Sequence, residues 1–194
     1  MLKIAVLNNY PEGKGKTALK RIKRSLKRLG VKPIVVRPEA CLQGGYDAFI
    51  LTGTAPCKGL NGPKLKDEKI LVRHTSAPVL GICFGLHLIA QSFGMPLVKM
   101  TGRRVGFKEL RIHVKEALFE GLENPLVWEN HRARVSEEVY KDSRFTVLAS
   151  SLDNPVEALK VNGRKIYGVQ FHPERYDKDR PWGFSILQNF INAI

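Results

Sequence analysis

The amino-acid sequence predicts an α/β protein with a mainly parallel central sheet and helices on both faces. Three observations carry this reading. Short apolar runs rich in β-branched residues alternate with segments whose apolar residues recur every three to four positions. The runs in the first half are continuous rather than alternating, as in strands buried on both faces. The chain has 194 residues, 43% hydrophobic and 26% charged, enough for a core that needs no disulfide or metal.

Lys3-Ile-Ala-Val-Leu7 is the first strand. Leu19, Ile22, Leu26 and Leu29 then fall on one side of a helix that Gly30 closes. Residues 33–36 and 47–52 are the next strands, and 64–74 is a short helix. A buried strand over 78–82 leads into a helix over 85–93, with Leu86, Ile89, Ala90 and Phe93 on one side. The second half is richer in strand patterns, at 110–114, 145–149, 156–161 and 165–171, which adds an antiparallel excursion. A last helix, about 183–193, buries Phe184, Leu187, Phe190 and Ile191. With no repeat, linker or low-complexity tract, residues 1–194 read as one domain.

Lys and Arg number 32 and Asp and Glu 18, giving a net charge of +14 that favours anionic partners without specifying a fold. Three cysteines, with no Cys-x-x-Cys pair, argue against a disulfide framework or zinc ribbon and suit a reducing cytoplasm. The apolar run at 2–7 is shorter than the ~7–15 residues of a signal core. No stretch approaches the ~20 apolar residues that span a bilayer. The expectation is a cytoplasmic protein with no membrane association.

Three signals are set aside. Gly15-Lys16-Thr17 lies where a phosphate loop would lie, but that loop needs glycine at position 10, which is Tyr10. Lys14, Lys16, Lys20, Arg21, Lys23, Arg24, Lys27 and Arg28 make the first helix basic. No aromatic residue interleaves with them, so single-strand stacking is unsupported, and a solvated face is favoured over a surface for nucleic acid or an acidic protein partner. Cys41 and Cys57 lack ligands at metal spacing and read as incidental thiols.

The chemistry lies elsewhere. Cys83 sits in Pro78-Val-Leu-Gly-Ile-Cys-Phe-Gly-Leu-His87, between a buried strand and a helix, flanked by Gly81 and Gly85. Small residues at those positions let strand and helix approach around a sharp turn that exposes a nucleophile at the carboxyl edge of the sheet. The helix amino terminus favours a thiolate there. Near the end stands Tyr167-Gly-Val-Gln-Phe-His-Pro-Glu174. His172 and Glu174 are two apart at a strand end, so both can point the same way, the imidazole as base and the carboxylate as its orienter.

Together these motifs resemble the class I (triad) glutamine amidotransferases. The resemblance extends to Ala48-Phe-Ile-Leu-Thr-Gly53 and to Val127-Trp-Glu-Asn-His131, and it covers essentially the whole chain. Within the family the sequence looks most like the separate glutaminase subunit of archaeal GMP synthetases. The resemblance implies a flavodoxin-like fold with no metal or cofactor. It also implies that Cys83 attacks the side-chain amide of L-glutamine, with His172 and Glu174 completing the triad. Backbone N–H groups of Phe84 and Thr54 would meet the oxyanion, and Gly53, His87, Asn130 and His131 would belong to the substrate pocket. Ammonia would pass to a separate ATP-dependent synthetase subunit.

The departures concern substrate binding rather than the triad. The family's glutamine four residues after the nucleophile is His87, the second glycine of its oxyanion turn is Thr54, and its substrate loop reads Asn130-His131-Arg132-Ala133. A neutral imidazole at 87 can replace an amide as a hydrogen-bond partner. Protonated near its ordinary pKa of about 6.5, it would repel the substrate's ammonium group on acidification. These departures leave two competitors: a stand-alone hydrolase of γ-glutamyl amides or peptides, and a catalytically quiet binding module of the same fold.

Overall fold

A computed structural model describes residues 1–54 and 65–194; Cys57 lies outside the described residues. In chain order the strands and helices are β1 (Lys3–Leu7), α1 (Lys16–Arg28), β2 (Lys32–Val36), β3 (Ala48–Leu51), α2 (Lys66–His74), β4 (Val79–Ile82), α3 (Phe84–Ser92), β5 (Leu97–Glu109), β6 (Arg111–Ile112), β7 (Leu126–Val135), β8 (Phe145–Ser150), β9 (Ala158–Val161), β10 (Ile166–Val169) and α4 (Trp182–Asn192).

Eight strands form one sheet in the order β2-β1-β3-β4-β10-β9-β8-β6. From β2 to β10 all pairings are parallel, and β9, β8 and β6 continue the sheet antiparallel. The parallel part thus has the 2-1-3-4-5 order of flavodoxin-like sheets, with the last strand of the chain in fifth place.

Alternation along β1 builds the two core layers. Ile4 and Val6 pack with Ile22 and Leu26 of α1 and with Ile186, Leu187 and Phe190 of α4. Ala5 and Leu7 face the opposite layer, with Leu71 and Val72 of α2 and Leu86, Leu88 and Ile89 of α3. Each fully buried Leu or Ile contributes roughly 2 kcal/mol. The basic residues of α1 lie on its outer side, around a shallow groove with Leu19 and Val35.

Two expectations need correction, and one element is added. β2 is an edge strand with Lys32 and Val35 exposed, not a strand buried on both faces. The strand expected over 110–114 shrinks to Arg111–Ile112. β5 and β7 form a separate antiparallel ribbon whose register shifts between Lys99 and Arg104. β5 has mostly exposed or half-buried residues on both faces, so its sequence carries no two-residue alternation to reveal it.

Candidate active site

The nucleophile turn joins β4 to α3. Cys83 adopts φ 53° and ψ −97°, a left-side conformation that costs a β-carbon-bearing residue on the order of 1–3 kcal/mol. Close packing holds it there. A methyl group on Gly81 would meet the backbone of Gly85, and one on Gly85 would meet the carbonyl of Leu51 in β3. The Cys83 amide donates to the Val169 carbonyl at 2.7 Å, which ties the turn to β10. Phe84 opens α3, so its amide has no helical acceptor.

His172 and Glu174 follow β10. Both are buried, and His172 Nδ1 lies 2.9 Å from Glu174 Oε1. Burial works against a charge on this ring. The Glu174 carboxylate, hydrogen bonds with Cys83 and Glu174, and the charge on the sulfur outweigh it and raise the pKa to about 10. The imidazolium is thus the resting form beside the Cys83 sulfur. The His172 amide donates to the Trp128 carbonyl of β7 at 2.7 Å. Trp128 packs edge-on against Phe107 at 5.1 Å, with Arg175 over the Trp128 ring and Arg180 over the Phe107 ring. This stack ties the ribbon to the segment that carries the base.

The third wall comes from β3 and the segment after β1. Asn9 accepts the Thr54 hydroxyl on its carbonyl at 2.7 Å, donates its amide to Thr52 Oγ1 at 3.0 Å, and reaches the Thr52 carbonyl with Nδ2 at 3.3 Å. Gly53 is thereby held against the site: a methyl group on it would lie 3.1 Å from His172 Cε1, 3.2 Å from Tyr10 Oη and 3.7 Å from Cys83 Cβ. Close approach, not positive φ, requires this glycine. Thr54 is not among the non-glycine residues at positive φ, so its side chain is tolerated. Tyr10 enters the site because Gly15, at the start of α1, leaves room for its ring; no sequence motif pointed to it.

The remaining pocket residues are placed differently from expectation. Asn130 and His131 lie on β7, not in a loop. Asn130 Oδ1 accepts from Arg103 Nε at 2.7 Å, while its backbone carbonyl is 4.0 Å from Cys83 Sγ. His131 turns inward, Nε2 lying 3.2 Å from Glu129 Oε2 and Nδ1 3.1 Å from the Ala133 carbonyl. Its side chain is fully buried. His87 is buried as well, Nε2 lying 2.9 Å from Gln170 Oε1. Burial above all, with the nearby His131 adding to it, pushes His87 down to about 4 despite its hydrogen bonds. The ring is neutral at any ordinary pH, so the expected loss of substrate affinity through its protonation has no physical basis.

Glu129, His131 and Glu157 bring one ligand atom each within 4.8 Å of one another, a geometry a metal could use. A proton serves them equally well. Burial, followed by the charge of Glu129, holds the Glu157 carboxyl well above the usual carboxylate range. A proton shared between them would satisfy Glu157 Oε2 and Glu129 Oε1, which have no partner among the described residues. Ser151 donates to Glu157 Oε1 at 2.9 Å.

The chain is similar to known proteins over most of its length. The family model of class-I glutamine amidotransferases matches residues 14–194. A GMP synthase (glutamine-hydrolyzing) subunit from Sulfurisphaera tokodaii is 30% identical over 175 residues, covering 89% of this chain and 90% of that protein. The subunit of the same name from Thermoplasma acidophilum is 33% identical over 194 residues, covering 98% and 92%. A crystal structure of a Thermoplasma acidophilum protein superimposes with a TM-score of 0.84 at 32% identity, covering 99% of this chain and 93% of the other. A Thermotoga maritima glutamine amidotransferase superimposes at 0.76 with 15% identity, covering 99% and 97%, which shows the shared fold alone. With that family match over residues 14–194 and relatives 30–33% identical over about nine-tenths of the chain or more, the chain belongs to the class-I glutamine amidotransferase family.

Proposed function

We propose that this protein hydrolyses L-glutamine to glutamate and ammonia through a thioester on Cys83, and that a separate ATP-dependent amidating subunit of the GMP synthase kind receives the ammonia. The observation that carries the reading is the convergence of Cys83, His172 and Gly53 on one point, with Glu174 bonded behind the ring. Relatives named as one subunit of GMP synthase match over about nine-tenths of their own length, which supports the two-subunit arrangement.

In this reading the Cys83 thiolate attacks the amide carbon. The oxyanion is met by the N–H groups of Phe84 and Thr54, donors already placed before charge develops. His172 hands its proton to the departing nitrogen, so ammonia leaves and a γ-glutamyl thioester remains. Water then attacks the thioester, His172 takes its proton, and glutamate departs with the thiolate restored. We propose Gly53, His87, Asn130 and His131 as pocket residues, with His87 and His131 acting from behind its wall.

The test is glutamate release from glutamine by the purified protein, alone and with ATP and the amidating subunit. Release that rises on adding that partner supports the reading. Release from other γ-glutamyl amides, indifferent to any partner, would favour the stand-alone hydrolase. The inward turn of His131 and the engagement of Asn130 by Arg103 speak for testing that alternative.

A further inference from the structure

The segment that carries His172 also carries a polar side chain that the proposed reaction leaves unused. Gln170 is fully buried two residues earlier, and its amide N–H is fixed on the Glu157 carbonyl at 2.7 Å. Its side chain bridges α3 and the turn before it. Nε2 lies 3.7 Å from Cys83 Sγ, and Oε1 lies 2.9 Å from His87 Nε2. We infer that Gln170 is a further catalytic residue, donating an N–H to the sulfur of Cys83, and that His87 is the positioning residue that holds this amide the right way round. The inference rests on Cys83 being the nucleophile, as proposed above.

An amide has two ends of opposite character. Turned over, Gln170 would aim a carbonyl oxygen at an anionic sulfur, and two acceptors would face each other. His87 decides between the orientations. A neutral imidazole has one N–H. The Ala133 carbonyl near the ring already lies 3.1 Å from His131 Nδ1, so the structure fits the tautomer whose Nε2–H donates to the carbonyl end of Gln170. Because burial keeps the ring neutral, the lock does not loosen across the neutral pH range. The titratable groups around these three residues are His172 and Glu174 after β10, Glu129 and His131 on β7, and Glu157 ahead of β9. Of these, His172 is the one that shares with Cys83 the space beside Gly53.

The chemistry that follows is specific. The sulfur is anionic before attack and again when water breaks the thioester, but neutral in the thioester itself. An N–H aimed at it favours the two anionic states that flank the acyl-enzyme, and hydrogen bonds to ionised groups are roughly twice as strong as neutral ones. For attack the gain is partial, because each tenfold gain in thiolate costs about threefold in intrinsic nucleophilicity. The larger benefit falls on thioester hydrolysis, where the sulfur is the leaving group.

The test follows iodoacetamide alkylation of Cys83 between pH 6 and 9 in the wild type, Gln170→Leu, His87→Leu and His87→Gln, each first checked for an unchanged fold by circular dichroism. Gln170→Leu should react about three- to tenfold more slowly at pH 7, because the sulfur has lost a donor that favours its anionic form. Where glutamine is turned over, the same variant should accumulate the thioester. His87→Leu should fall between, and His87→Gln, whose amide can still donate to Oε1, should return towards wild type. If Gln170→Leu does not fold, Gln170→Met carries the same comparison. A folded Gln170 variant with the wild-type alkylation profile would overturn the donor role. His87→Gln as slow as His87→Leu would overturn the positioning role. Iodoacetamide needs no glutamine, so a protein that alkylates as expected yet releases no glutamate overturns the glutaminase reading and leaves this one standing.

Discussion

A methyl group placed on Gly81 would lie 2.5 Å from the carbonyl carbon of Gly85, so the strand entering the nucleophile turn and the helix leaving it are in backbone contact. Cys83, midway between them, has no room to relax from φ 53°. The sulfur is presented by a closed joint rather than by its own side-chain rotamer, and the chemistry inherits that rigidity.

A glutamine-like diazo-ketone should therefore label Cys83 and spare Cys41. Cys41 is buried, and burial, followed by the charges of Glu68 and Asp67, pushes its thiol up to about 12, which leaves almost no thiolate at neutral pH. Peptide mass spectrometry after labelling decides the matter. Modification of Cys41 with Cys83 untouched would remove Cys83 from the nucleophile role.

His172→Ala should slow glutamate release by at least the ~10²–10⁴-fold that a lost acid–base group costs. Glu174→Gln should act differently, by moving the pH profile. The carboxylate is the largest influence raising His172, so its loss lowers the ring from about 10 and brings the alkaline limb of the rate profile towards neutrality. The same shift makes a stability statement. A ring whose pKa is raised in the folded state contributes stability that is complete below about 6.5 and is lost as pH rises through about 10. An alkaline limb unmoved in Glu174→Gln would show that another group sets it.

His87 gives a prediction opposite to the one its residue type suggests. With the ring neutral down to about pH 4, KM for glutamine should not rise between pH 8 and 5.5 through this residue. The acid-side KM profiles of the wild type and His87→Gln should superimpose. Steady-state kinetics at four or five pH values suffice, and a steep rise confined to the wild type would count against a neutral His87.

Gly53→Ala should fold and lose activity at least about tenfold, because the new methyl group meets His172 Cε1 at 3.1 Å and displaces ring or loop by a few tenths of an ångström. A melting temperature close to wild type with depressed kcat is the expected pair of observations. Unimpaired turnover would show that the loop has slack the close packing does not suggest.

Glu68 in α2 is fully buried, and neither carboxyl oxygen finds a hydrogen-bond partner among the described residues. Burial is the chief cause of a carboxyl pKa raised to about 8, with the neighbouring Asn9 amide opposing it. The folded state thus favours the protonated form, a contribution complete below about 4.5 and lost as pH rises through about 8. Wild-type stability should fall by roughly 1 kcal/mol per pH unit across that window. Glu68→Gln escapes the loss, so its melting temperature should exceed wild type by several degrees at pH 8 and by much less at pH 5. Parallel pH dependences in the two proteins would refute this.

The parallel half of the sheet is legible in the sequence because its strands are continuous apolar runs closed by turns, and β1, β3 and β4 follow those runs to within a residue or two at each end. The nucleophile turn is legible for a different reason: backbone contact demands Gly81 and Gly85 whatever the neighbouring side chains. The β5–β7 ribbon is not legible. Its residues answer to the site rather than to a core, so charged and polar side chains sit where alternation would have marked a strand. That is why Asn130 and His131 read as a loop over the substrate, although alternation on β7 turns Glu129 and His131 inward together. Tyr10 and Gln170 are equally hidden, the first because its position depends on the space above Gly15, the second because a buried glutamine in an apolar motif has no spacing rule of its own.

The placement of β10 has a consequence for synthesis of the protein. Strands β2, β1, β3 and β4 are complete by residue 82, yet β4 can find its remaining neighbour only when residues 166–169 have emerged. For roughly half the length of the chain, the nascent protein holds Cys83 beside an unpaired parallel strand edge. Such an edge recruits other strands, and ribosomes carrying this chain would be exposed to pairing between neighbouring copies until the final segment inserts. The same insertion delivers His172, so the hazard ends and the chemistry becomes complete in a single event.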